Sequence, residues 1–259
     1  MINRGHKNKW VSLVIATLVL GLSSCGPRKS YQITQVEGTR IHIDSTLDVH
    51  PNQQAVDVLA PYKAGVDSVM GEVVGYSTTT LSKYRPESPL SNLIADVLRQ
   101  AAAEVVGHPA DIGLVNMGGI RNILPQGNIT VGTVYEILPF ENSLCVLKIK
   151  GKHVQKLMQN IAQVQGEGVS NIQLEITKEG KVLSVQVGGK SIEEDKIYTL
   201  ATIDYLSEGN DGMTALIQQE SRECPTGATL RGLFMDYVKQ QTAAKKQIFA
   251  QIEGRIVIK

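Results

Sequence analysis

Three short segments carry the side chains that could do chemistry. Asn116-Met117-Gly118-Gly119-Ile120-Arg121 closes an apolar run with two glycines and then an arginine. Glycines permit unusual backbone dihedrals and close approach. An arginine at such a turn offers a planar fork of donors to a phosphate or to paired oxygens. Leu138-Pro139-Phe140-Glu141-Asn142 sets one of only three phenylalanines in the chain beside a proline and an amide. Tyr205-Leu206-Ser207-Glu208-Gly209-Asn210-Asp211-Gly212 places an aromatic ahead of a carboxylate in a glycine-rich loop. Singly, each has a plain structural reading: a tight turn, a core phenylalanine, an ordinary Asn-Asp-Gly turn. Together they hold what a nucleoside needs. Two aromatic faces suit a base, an amide suits its edge, a carboxylate suits ribose hydroxyls and an arginine suits phosphate.

Other chemistries lack their parts. His6, His42, His50, His108 and His153 include no pair spaced i, i+4, and no H-E-x-x-H or G-x-S-x-G occurs. Asp48-Val49-His50 has the form of a metal-binding D-x-H but no second histidine motif follows, so it reads as a loop. Val187-Gly188-Gly189-Lys190-Ser191 imitates the end of a phosphate-binding loop, yet Ser184 stands where that loop needs glycine, which leaves a hairpin turn. No catalytic metal site, nucleophile or acid–base pair is visible. The chain is 42% hydrophobic and 20% charged, with a net charge of +1 and no basic block after its first thirty residues. That is globular composition, and it argues against nucleic acid as the main partner. Three cysteines without regular spacing exclude a disulfide scaffold. Cys145, inside Ser143-Leu144-Cys145-Val146-Leu147, reads as a small core residue, and nothing in the sequence says whether it pairs with Cys224.

The elements that must position these segments follow from periodicity. Tyr31–Val36 and Thr39–Asp44 alternate with period two and predict a hairpin; Pro51 opens a helix to about Met70 that Pro61 kinks or divides. Pro89 opens a helix to about Val106 with Leu90, Leu93, Ile94, Val97 and Leu98 as its apolar stripe. Asp111–Asn116 is a buried strand, Thr133–Leu138 a short helix, Ser143–Lys150 a strand and Lys152–Val164 a helix. Ile172–Thr177, Val182–Val187 and Ile197–Ile203 predict consecutive antiparallel strands, followed by a helix from about Gly227 and a closing strand at Arg255–Ile258. This is an α+β pattern: one compact domain with a mixed, largely antiparallel sheet and flanking helices.

The first 25 residues have a targeting pattern. Arg4, Lys7 and Lys9 precede the uncharged run Trp10–Leu22, which has signal-peptide length and is too short to span a bilayer. Leu22-Ser23-Ser24-Cys25 then matches a bacterial lipobox, which makes Cys25 a lipidated anchor and residues 1–24 a removed signal. The expected location is the bacterial cell envelope, periplasmic or on the outer membrane, with residues 25–69 forming tether, hairpin and linker helix.

The order N-x-G-G-I-R, P-F-x-N and aromatic-x5-D-G resembles the C-terminal domain of the 5′-nucleotidase family. Ser91-Asn92-Leu93-Ile94-Ala95-Asp96 resembles that domain's early helix, and the likeness runs from about Met70 to Lys259. The resemblance implies substrate-binding roles. Phe140 and Tyr205 (usually phenylalanine) stack on the base, and Asn142 meets its edge. Asp211 holds the ribose, Arg121 reaches the ribose–phosphate side, and Gly118 and Gly119 form the turn. Arg85 stands for a second family arginine. Glu141 replaces a small residue and is expected to bring negative charge near the pocket; Asn210 replaces a glycine and can still adopt a left-handed turn. The family's two divalent metals belong to an N-terminal metallophosphatase domain, for which the residues before Met70 are too few. The chain is therefore expected to bind no metal or cofactor itself and to grip nucleotide for a metallophosphatase on a separate chain. The alternatives are a stand-alone surface lipoprotein that binds nucleosides, and a degenerate domain with Phe140 and Tyr205 buried in its core.

Overall fold

The computed structural model describes residues 31–259, so the targeting segment and Cys25 lie outside the described residues. Contacts divide the chain after Gln53, and the fold that carries the three segments lies in the larger unit, Gln54–Lys259. In the smaller unit the expected hairpin is absent. Residues 31–43 form no strand, and Tyr31, Ile33, Ile41 and Ile43 are all exposed. Alternation alone cannot hold two strands together where neither face has a core to cover. A short 3-10 turn, Ser45–Val49, follows, capped by the Asp44 carboxylate.

The regular elements run α1 (Gln53–Met70), β1 (Val73–Ser77), α2 (Pro89–Ala101), β2 (Ile112–Val115), β3 (Gly127–Thr130), α3 (Val131–Ile137), β4 (Leu144–Lys150), α4 (Gly151–Gln163), β5 (Gly168–Ser170), β6 (Ile172–Ile176), β7 (Val182–Val187), β8 (Ile197–Ile203), β9 (Ser221–Glu223), α5 (Leu230–Ala243) and β10 (Ile256–Ile258). α1 carries Pro61 inside it and leaves Val58, Leu59 and Tyr62 exposed. α2 shows why a sequence starts a helix where it does. Ser88 caps it, Ser91 completes a reciprocal capping box, and Pro89 occupies the first turn, where its missing N–H is no loss. Its predicted stripe, Leu90 to Leu98, is buried against β2 and β5.

The strands form three sheets rather than one, ordered β1-β3, β10-β6-β7 and β5-β2-β8-β4-β9. All pairings are antiparallel except β2 with β8 and β10 with β6. The expected meander of three consecutive strands breaks after its first pair: β6 and β7 pair, but β8 leaves them to lie between β2 and β4. Burial explains the move. Leu200 to Ile203 are buried on both faces, which demands a central position, whereas β7 is mostly exposed and suits an edge. β10 is tied down by Arg255, which makes two hydrogen bonds of 2.9 and 2.8 Å to Asp96 of α2 and a third of 2.8 Å to Glu253. Cys145 is buried, as its apolar run implies, and forms a disulfide with Cys224, 79 residues away.

Candidate nucleoside-binding cleft

Sheet topology brings the three segments together. β2 and β8 run parallel and adjacent, so the residues after each emerge at one edge of the sheet. β4 is antiparallel to β8 with Leu144 opposite Ile203, so the residues before β4 reach the same edge. Carboxyl ends of parallel strands are where open sheets place ligand clefts. A cleft of about 380 Å3 opens there, lined by Gly118, Gly119 and Arg121, by Phe140 and Asn142, and by Tyr205 and Asp211. One further side chain lines it, Asn116, which has no assigned role in the sequence reading.

The Asn116–Arg121 turn is built tightly. Met117–Gly119 is a 3-10 turn, with the Gly119 N–H bonded to the Asn116 carbonyl at 3.1 Å. A Cβ on Gly119 would fall 2.7 Å from Asn116 Oδ1, so close approach is what this glycine provides; neither it nor Gly118 has a positive φ. Arg121 donates through Nη1 to the Gly118 carbonyl at 3.2 Å, and its guanidinium lies 6.0 Å from the Phe140 ring centre. Lys83, unforeseen from sequence, donates to the Met117 and Ile120 carbonyls behind the turn. Partial burial lowers the Lys83 pKa, and the positive charges of Arg121 and Arg85 lower it further.

Arg85 does not line the cleft. Its guanidinium pairs with the buried carboxylate of Glu167 and donates to the Gly166 carbonyl at 2.8 Å. Glu167 in turn accepts from the Met117 N–H, so Arg85 reaches the site only through this carboxylate. Burial pushes the Glu167 pKa up. The Met117 N–H and Arg85 pull it back, and the Asp211 charge adds to the rise. Neither Lys83 nor Glu167 announces itself locally, because their partners are distant in sequence.

Phe140 stands half exposed (49%) on a loop braced from beneath. Arg231, at the start of α5, donates to the carbonyls of Leu138 (3.3 Å) and Pro139 (3.0 Å) and to Glu141 Oε1 (2.8 Å). Its guanidinium also lies 4.1 Å from the Tyr135 ring centre. Glu141 stands between the cleft-lining Phe140 and Asn142 but does not line the cleft itself, and its exposed carboxylate pairs with Arg231. The Asn142 carbonyl accepts from the Leu230 N–H at 2.8 Å, which fixes the amide's backbone at the rim.

Tyr205, 40% exposed, is the second residue after β8. Its hydroxyl donates to Asp211 Oδ1 at 2.9 Å, while Asn116 Nδ2 donates to Asp211 Oδ2 at 2.6 Å. The Asp211 bond and charge raise the Tyr205 pKa. Asn210 Nδ2 donates to the Tyr205 carbonyl at 2.8 Å. The left-handed residues of this loop are Gly209, Asp211 (φ 51°) and Gly212; Asn210, which could adopt that conformation, does not. Phe140 and Tyr205 both lie outside the core, contrary to the burial that a degenerate domain predicts for them. Among the described residues, no group of three or more His, Cys, Asp or Glu side chains is placed to hold a metal ion.

Comparison with known proteins agrees with this architecture. The family model described as the 5′-nucleotidase C-terminal domain matches residues 69–218. The trifunctional nucleotide phosphoesterase protein YfkN of Bacillus subtilis is 30% identical over 225 residues, covering 79% of this chain and 15% of that protein. Protein UshA of Yersinia enterocolitica is 30% identical over 189 residues, covering 70% of this chain and 34% of that protein. The crystal structure of a 5′-nucleotidase precursor from Thermus thermophilus matches with a TM-score of 0.69 and 31% identity, over 80% of this chain and 43% of that one. The chain thus spans about a third or less of these curated relatives. With more than half of its length matched to one family model, the chain belongs to the 5′-nucleotidase C-terminal domain family.

Proposed function

We propose that this domain grips the base and ribose of a nucleotide or nucleoside for a metallophosphatase carried on another chain. The observation that carries the reading is the convergence, in one cleft, of two half-exposed aromatic rings, a doubly held carboxylate and an arginine. The cleft's volume of about 380 Å3 falls within the range of small-molecule sites. Base–aromatic stacking contributes roughly 1–3 kcal/mol per contact. Two such faces with charge-assisted bonds approach the ~8 kcal/mol that corresponds to about 1 μM. Arg121, with Lys83 behind it, supplies positive charge for a phosphate. On this reading the divalent metals are supplied by the partner chain. The role of this chain is positioning: binding energy on remote base and ribose aligns the phosphate at groups held elsewhere.

The test is calorimetric titration of AMP and adenosine into the full chain, beside the double variant Phe140→Ala, Tyr205→Ala. Saturable binding at micromolar concentrations, lost in the variant, is the expected result; equal binding by the variant overturns the assignment of the clamp. Adding the chain to a metallophosphatase that lacks its own C-terminal domain is expected to lower that enzyme's KM for AMP. Binding without any such effect would instead mark a stand-alone nucleoside-binding lipoprotein.

The location proposed is the bacterial cell envelope, with Cys25 lipidated. The disulfide between Cys145 and Cys224 supports an oxidising compartment. Metabolic labelling with a palmitate analogue is expected to mark the wild-type chain and to fail with Cys25→Ser.

A further inference from the structure

Asp211 is held in an unusual way for an exposed loop carboxylate. Its backbone is left-handed, φ 51° and ψ 29°, where a residue with a Cβ is uncommon. Both of its oxygens are already engaged, Oδ1 by the Tyr205 hydroxyl and Oδ2 by the Asn116 amide. Asn116 is buried, and its Oδ1 has no hydrogen-bond partner and lies against Gly119. Its Nδ2 faces the carboxylate, and a reversed amide would set oxygen against oxygen. Two donors on different elements therefore fix the carboxylate plane, one from the turn after β2 and one from the turn after β8.

Resting on the nucleoside reading, we infer that the Tyr205 hydroxyl is a positioning and specificity-determining group: it aims Asp211 at a ribose cis-diol and sets a preference for ribonucleosides over their deoxy counterparts. A carboxylate has about four acceptor sites, of which the phenol and the amide take one on each oxygen. One remains on each oxygen, and two adjacent acceptors in a fixed plane suit two vicinal hydroxyl donors. An unheld carboxylate would rotate about its side-chain bonds and would have to be ordered by the ligand; ordering it beforehand strengthens binding. The aromatic ring alone would serve stacking equally well as phenylalanine. The hydroxyl is thus the part of Tyr205 that bears on the sugar rather than the base.

Tyr205→Phe keeps the ring and removes only the donor. Adenosine and 2′,3′-dideoxyadenosine are titrated into the full wild-type chain and into this variant. In the wild type adenosine is expected to bind the tighter of the two. In the variant adenosine should weaken threefold to tenfold, and dideoxyadenosine less than twofold, so that their affinity ratio contracts. Asn116→Ala, which removes the other donor without touching either ring, is expected to contract the same ratio. A ratio unchanged by Tyr205→Phe, with both ligands still binding, overturns the inference and leaves the nucleoside reading standing. Equal affinities in the wild type overturn it too, since Asp211 would then not read the diol. No saturable adenosine binding by the wild type removes the nucleoside reading, and this inference falls with it.

Discussion

The two walls of the cleft are held by different means. The Phe140 wall is braced by backbone and by buried groups: the Arg231 guanidinium under two carbonyls, the Leu230 N–H on the Asn142 carbonyl, and a disulfide three residues further along. The Tyr205–Asp211 wall is held by side-chain hydrogen bonds, two of them exposed and one from the buried Asn116, on a loop with Gly209, Asp211 and Gly212 at positive φ. The first wall should therefore change with the stability of the fold. The second should change with charge and with single hydroxyl or amide groups. On the proposed reading, a rigid shelf for the base and a tunable hook for the sugar divide the task between packing and electrostatics.

The largest expected effect is on the braced wall. Replacing Cys145 and Cys224 together by alanine opens a link between residues 79 apart, and loses about 2–5 kcal/mol in urea denaturation. The same loss should follow from adding a reductant to the wild type. A change below about 1 kcal/mol would mean that β9 holds to β4 without the bond. Next comes Arg231→Met, which strands the buried Leu138 carbonyl and frees that of the exposed Pro139 to water. A buried acceptor left unsatisfied costs about 1–3 kcal/mol, and Glu141 adds little because it is largely exposed. Lowered stability together with weakened binding of free adenine is the expected pair of results. Unchanged adenine affinity at lowered stability would show that the shelf does not depend on its brace.

The same contrast explains what was legible in the sequence. α2 could be read because its signals are local: Ser88 and Ser91 at the cap, Pro89 in the first turn, an apolar stripe behind them. The cleft residues could be found because their types and order are themselves the signal, and strand neighbours carry them to one edge. What stayed hidden was pairing at a distance. β8 continues the pattern of β6 and β7, yet its burial places it in another sheet. β5 and β9 are three residues each, too short for periodicity to register. Arg231, Glu167 and the Cys145–Cys224 bond act across long sequence separations. Arg85 belongs with them, since nothing near it in sequence announces the buried carboxylate that takes its guanidinium.

Glu167 gives the smallest and most diagnostic effect, because it connects the turn under Asp211 to pH. Its pKa is raised in the folded chain, chiefly by burial, and the Asp211 charge contributes to that rise. Between the unfolded value and the raised folded value the native state binds more protons than the unfolded one. Stability from this group is therefore fully present below the unfolded pKa, and is lost as pH rises through the folded pKa. Each unit of elevation corresponds to about 1.4 kcal/mol. Glu167→Gln cannot titrate, so wild-type stability measured relative to this variant should fall as pH rises across that window and be flat on either side. Removing the neighbouring charge with Asp211→Asn should shift the window downward, since one of the causes of the elevation is gone. A flat difference between wild type and Glu167→Gln from acid to neutral pH would show that Arg85 and the Met117 N–H fully offset burial. An unmoved window in Asp211→Asn would show that the hook and the buried carboxylate are electrically independent, and that the second wall rests on its hydrogen bonds alone.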